Sequence, residues 1–349
     1  MQSFVIRTSI LLLFSLFFIV LLYIVLSDRK TGNLPVTESS SNYAALENPL
    51  SVIAMRSRSY PGSELVIEEE LPEGANYKQY VASYFSDGLK IYGLLTIPTS
   101  KKPEKGYPAI IFNHGYIPPA EYKTTERYVS YQDSLARNGY ITFKSDYRGH
   151  GNSEGNPEGA YFSPAYTVDV LNALSSVKKL SQVDTNNIGM WGHSLGGNIT
   201  QRALVVKPKD IQAAVIWGGV VGSYEDIFSE WWNKRQVPTT TPRNPEQQSY
   251  RPTRQNFINM YGQPSAGNPF WADISPTTYI SDVSSPVQLH HGLADETVPY
   301  ALSQKYYDAL KDKGKTAEVF YYENTDHNIS QSFNLAMERS VDFFDKYLK

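Results

Sequence analysis

The chain has 349 residues, a formal net charge of −3 and no cysteine. An α/β core of about 250 residues fits within that length as one domain. The near-neutral charge offers no basic field for nucleic acid or anionic lipid, and the missing thiol excludes disulfides, cysteine nucleophiles and cysteine-ligated metal.

Residues 10–26 form an apolar run interrupted only by Ser15 and the amphipathic Tyr23. A helix from Thr8 to Leu26, rising about 1.5 Å per residue, approaches the roughly 30 Å of bilayer hydrocarbon, and Arg7 can snorkel to the interface. A signal-peptide core is shorter, about 7–15 residues, and Val25-Leu26-Ser27 matches a cleavage site weakly, so 1–27 is expected as an uncleaved single-pass membrane anchor. Arg7 and the terminal amine face Arg29 and Lys30 across the span, nearly a tie under the positive-inside rule. From the short tail before the span and the polar stalk after it, the main domain is expected outside the cytoplasm. Residues 28–76, with Gly32, Pro35, Ser39-Ser40-Ser41 and Pro49, are expected as that stalk.

From 77 to 349 the pattern is that of one α/β domain. Residues 77–85 and 89–97 read as strands joined through Ser86-Asp87-Gly88, a hairpin turn. Strands at 109–113, 140–146, 187–191 and 211–217 then alternate with helices near 124–138, 165–180 and 199–206. Such alternation predicts a mostly parallel sheet, helices on both faces and right-handed crossovers. Between 218 and 279 it stops, and Trp231-Trp232, Phe270, Trp271 and a run of prolines mark an insertion at about 222–279, expected as a cap after the sixth strand. Its aromatic residues either line an apolar pocket or form the cap's own core. Strands at 286–292 and 317–322 complete an eight-stranded sheet. A final helix, 329–348, packs Phe333, Met337, Val341 and Phe344 at helical spacing. No internal repeat is present.

The chemistry-bearing residues fall on loops after strands. Gly192-His193-Ser194-Leu195-Gly196 stands between the 187–191 strand and a helix, the strand–turn–helix setting that lifts a serine hydroxyl above a sheet edge. A serine needs a base to take its proton and a carboxylate to orient that base. Downstream, Asp295 follows the strand ending at Gly292, with Glu296 and Asp326 as competing carboxylates. His327 is the one histidine of six on a polar loop after the last strand. An oxyanion formed by attack needs preorganised amides, for which the N–H groups of Leu195 and of Tyr116, in His114-Gly115-Tyr116 after the 109–113 strand, are the candidates. His114 is a possible additional side-chain donor. His290 and His291 point to opposite faces of a strand and are expected as packing residues. His150 and His193 are expected to satisfy local hydrogen bonds. No motif points to a metal, and the chemistry requires no cofactor. The sequons at Asn198 and Asn328 adjoin Ser194 and His327 and read as chance.

Taken together, His114-Gly115, Asp146-Tyr147-Arg148-Gly149-His150-Gly151, Gly192-His193-Ser194-Leu195-Gly196, the His291–Asp295 loop with Val298-Pro299, and Asp326-His327 resemble the α/β-hydrolase superfamily, nearest the catalytic domain of the prolyl oligopeptidase family. The resemblance covers about 80–349. Members of that family usually carry a β-propeller that selects short peptides, and about fifty polar residues before the first strands are too few for one. The resemblance therefore implies a serine hydrolase acting through an acyl-enzyme on small esters or short peptides, with carboxylesterase or acylglycerol lipase chemistry as an alternative and an inactive binding scaffold as the non-enzymatic one. Expected partners are the small-molecule or peptide substrate and, through 1–27, a membrane, but no nucleic acid. Oligomeric state is not legible.

Overall fold

A computed structural model describes residues 48–234 and 254–349. The expected membrane anchor and residues 28–47 of the expected stalk lie outside this range. Among the described residues no helix is long and apolar enough to cross a membrane.

The fold is a mostly parallel sheet with helices on both faces. Its sheet has nine strands: β1 (Val66–Leu71), β2 (Tyr77–Ser86), β3 (Leu89–Pro98), β4 (Tyr107–Asn113), β5 (Ile141–Ser145), β6 (Val183–His193), β7 (Ala213–Trp217), β8 (Val287–Gly292) and β9 (Ala317–Tyr322). The spatial order is β1-β2-β3-β5-β4-β6-β7-β8-β9. The edge through β3 pairs antiparallel, and every pair from β5 to β9 is parallel. The hairpin turns on Asp87 and Gly88, both at positive φ (55° and 79°), the backbone twist that two-residue hairpin loops demand.

Alternation along the central strands sorts side chains to two cores. Ala109, Ile111, Ile188, Met190, Ala214 and Ile216 face one, while Ile110, Phe112, Trp191, Val215 and Trp217 face the other. Helices α3 (Ala165–Val177), α4 (Leu195–Val206) and α7 (Tyr300–Asp312) cover the first face; α2 (Val129–Arg137) and α8 (Phe333–Leu348) cover the second. Both faces are sealed, so ligands are left the rim at the strand ends.

Two expectations are corrected. The sheet has nine strands rather than eight, because β1 lies in the segment expected as stalk, and the cap consequently follows the seventh strand. Residues 48–76 are not a free stalk: α1 (Val52–Ser57) buries Val52 and Met55 in the main core, and Arg56 donates to the Val205 carbonyl at 2.9 and 2.7 Å. The cap contains a π-helical turn, Ile227–Trp232, and helices α5 (Arg254–Tyr261) and α6 (Pro269–Ile274).

Candidate active site

Ser194 sits where β6 ends and α4 begins, at φ 55° and ψ −116°. That conformation costs a non-glycine residue on the order of 1–3 kcal/mol and persists only where its surroundings impose it. Here the Ser194 N–H donates to Trp217 O (3.0 Å), and its carbonyl accepts from Gly197 N–H and Val220 N–H (3.0 and 3.1 Å). The turn is tight enough to require the flanking glycines: a Cβ on Gly192 would lie 2.3 Å from Thr200 Oγ1, and one on Gly196 would lie 2.0 Å from Asn113 O.

Asp295 and His327 meet. His327 Nδ1–H donates to Asp295 Oδ2 at 2.6 Å, across loops that follow the adjacent strands β8 and β9. The competing carboxylates do not reach the imidazole: Glu296 is exposed, and Asp326 is spent on its own loop, accepting from Asn328 N–H, Ser330 N–H and Ser330 Oγ–H. Burial pushes the Asp295 carboxyl up. Hydrogen bonds from His291 and His327, then the nearby imidazole charge and the Val298 amide, outweigh burial and hold it well below the carboxylate range. It is ionised, as a group that orients a histidine must be.

Ser194 Oγ and the His327 ring make no hydrogen bond to each other among the described residues. The two loops touch through the neighbouring residue: His193 Nε2–H donates to His327 O at 2.9 Å, with the imidazole rings 4.6 Å apart. Nucleophile–base contacts commonly tighten only when substrate is bound.

The Leu195 amide borders the serine, and the β4 loop that carries Tyr116 runs close by. Leu195 opens α4, so its N–H has no intrahelical acceptor and lies at the positive end of the helix dipole. Gly115 N–H is engaged by Tyr128 Oη (2.9 Å), and Tyr116 is the next amide along this loop. A Cβ on Gly115 would lie 3.2 Å from Ser194 Cβ, a measure of how closely the loop approaches Ser194. His114 is not a donor into the site: stacked between Tyr122 and Tyr147 (4.8 and 4.2 Å), it gives its Nδ1 proton to Gly115 O at 2.7 Å.

His291, expected only to pack, has a second role. Its Nε2 lies 3.1 Å from Asp295 Oδ2 and 2.9 Å from Val298 O, two acceptors that fix the proton on Nε2, while Nδ1 accepts from Ser303 Oγ–H at 2.7 Å. His290 faces the opposite core, bonded to Gln288 and Tyr322. The sequence signal for His291 was its place four residues before Asp295, on the strand leading into that loop. Asn198 is buried with Nδ2 donating to Val220 O, in keeping with a chance sequon.

The family model described as the prolyl oligopeptidase family matches residues 127–349, more than half of the chain. The chain belongs to the prolyl oligopeptidase family. This family member is 24% identical over 266 residues to the uncharacterized peptidase YtmA of Bacillus subtilis, covering 75% of this chain and 91% of that protein. Its fold is similar to that of Pyrococcus horikoshii acylaminoacyl peptidase, with a TM-score of 0.57, 22% identity and coverage of 79% of this chain and 42% of that one. It is also similar to an acetyl xylan esterase from Paenibacillus sp. R4, with a TM-score of 0.62, 17% identity and coverage of 90% and 96%. The chain thus spans less than half of the peptidase and nearly all of the esterase. As a prolyl oligopeptidase family member it is a hydrolase on the α/β-hydrolase fold.

Proposed function

We propose that this protein is a serine hydrolase that cleaves small ester or short peptide substrates through an acyl-enzyme. The observation that carries the reading is the 2.6 Å His327–Asp295 hydrogen bond standing beside a serine held at φ 55° and ψ −116°. Ser194 Oγ attacks the substrate carbonyl and His327 takes its proton. The amides of Leu195 and Tyr116 receive the oxyanion, a contribution of about 10²- to 10³-fold in rate per donor. His327 returns the proton to the leaving alcohol or amine, and a water then repeats the cycle to release the acid. Asp295 holds the imidazole in the tautomer with its free nitrogen toward the serine.

Carboxylesterase activity is the second reading, favoured by a fold likeness to an esterase that extends over nearly the whole of both chains. The same proposal has the apolar run at 10–26 anchor the protein in a membrane with the hydrolase outside the cytoplasm. Alkaline extraction of membranes and protease access to intact cells test that part.

The decisive experiment is labelling with a fluorophosphonate probe. Wild type is expected to label and Ser194→Ala is not. Failure of the folded wild type to label would overturn the enzymatic reading in favour of a binding scaffold. Turnover of p-nitrophenyl esters of increasing acyl length beside dipeptide p-nitroanilides then separates esterase from peptidase.

A further inference from the structure

The segment from His114 to Tyr128 leads out of β4 toward α2 and carries the Tyr116 amide. It is secured at several points by groups that the hydrolytic steps do not use. Lys144, fully buried, donates from Nζ to Glu126 O and Arg127 O, each at 3.1 Å. Asp146 accepts from Tyr122 Oη–H at 2.8 Å and Thr124 Oγ1–H at 2.5 Å. At the far end Arg127 and Tyr128 both take positive φ, 58° and 56°, which turns the Tyr128 ring back toward the nucleophile.

There the polar groups form one directed chain. His327 O can only accept, so the His193 proton must be on Nε2, and Nδ1 is left as an acceptor. Tyr128 Oη–H donates to that Nδ1 at 2.7 Å, and Tyr128 Oη in turn accepts from Gly115 N–H at 2.9 Å. Every link has one possible direction. Burial, then the neighbouring His327, lowers the His193 ring to about 3, and burial raises the Tyr128 phenol, so neither group changes charge near neutral pH.

We infer that Tyr128 and His193 are positioning residues for acyl transfer: their hydrogen-bonded strap sets the distance between the loop presenting the Tyr116 amide and the loop carrying His327. The strap runs beside the Ser194 turn: His193 precedes the serine, and a Cβ on Gly115 would lie 3.1 Å from His193 Nδ1 and 3.2 Å from Ser194 Cβ. Cutting it frees one loop from the other while leaving Ser194, Asp295 and His327 chemically intact. Because an oxyanion donor acts only when it meets the developing charge, the loss belongs in kcat rather than KM.

The inference rests on the nucleophile assignment above, and the test separates the two. In the full chain, Tyr128→Phe removes one hydroxyl and keeps the ring. It is expected to lower kcat for p-nitrophenyl acetate about tenfold, with KM within twofold and the rate of fluorophosphonate labelling falling in parallel. His193→Gln keeps a donor for His327 O but loses the acceptor for Tyr128, and is expected to show the same loss. The double variant is expected to be no worse than the poorer single one, because both changes cut the same strap. Full activity in folded Tyr128→Phe, or additive losses in the double variant, overturns the strap. Hydrolysis surviving in Ser194→Ala overturns the nucleophile instead. Should His193→Gln fail to fold, Tyr128→Phe alone decides.

Discussion

Both oxygens of Asp295 are occupied, Oδ2 by the His327 and His291 rings and Oδ1 by the amides of Thr297 and Val298 at 2.8 and 2.9 Å. Asparagine at 295 would aim an NH2 at donors in either flip. Asp295→Asn is therefore expected to lose about 10³- to 10⁴-fold in kcat by misdirecting the imidazole tautomer, and about 1–3 kcal/mol of stability through unmet donors. Ester turnover and thermal unfolding measure the two. A second expectation concerns pH. Burial lowers His114 well below its ordinary value and lowers His193 and His290 to about 3, so all three are neutral in the fold and take up a proton on unfolding below about 6.5. Their contribution is complete above that pH and is lost as pH falls, at up to about 1.4 kcal/mol per pH unit each. Asp146, raised by burial to about 6, and Asp169, also raised by burial, act the other way, losing stability as pH rises through the carboxylate window. Three groups against two leave a net loss on acidification, so the unfolding midpoint is expected to fall between pH 7 and 5. A flat calorimetric profile would refute this balance. That Asp295 and His327 would meet was legible because each follows a strand pattern on neighbouring strands, and the 2.6 Å hydrogen bond between them is what the structure adds. His291 and Tyr128 were not, since their partners depend on which face a residue takes and on a backbone turn at positive φ.

Among the elements, the hairpin and the alternating strands and helices were readable from period and turn chemistry alone. β1 was not, because five of its six residues are exposed and the strand has no buried face to set a pattern. Nor was α1, six residues long, whose place is decided by Val52 and Met55 entering a core built far downstream. The Asp146–Gly151 motif proves to be a junction between elements: Arg148 donates from Nε and Nη2 to Asp169 on α3, and from Nη2 to Asp87 in the β2–β3 turn. Asp169 is completely buried. Arg148→Met strands that carboxylate in a medium that cannot solvate it and is expected to cost about 3–5 kcal/mol, read as a lowered denaturation midpoint. Arg148→Met with Asp169→Leu is expected to recover most of the loss, because a well-packed apolar pair substitutes for a buried ion pair at little cost.

On the scale of the whole molecule, two sealed faces confine chemistry to one rim, and this was foreseeable once the strands were known to be parallel. The insertion after β7 was foreseeable only as an interruption. Its aromatic residues divide: Trp271, Phe228 and Tyr224 pack with one another, whereas Trp231 joins Val220, Val298 and Leu302 beside the site loops. Trp231 Nε1–H also donates to Thr297 O at 2.6 Å, two residues beyond Asp295. The π-helical turn is thereby tied to the Asp295 loop. If the acyl chain of an ester lodges against this turn, as the proposed function allows, an oversized chain pulls on the Asp295 loop as well and is penalised twice, in fit and in reactivity. Across a homologous ester series kcat should sink while KM climbs, and Trp231→Phe, which withdraws the tie, should leave the KM trend and flatten that of kcat.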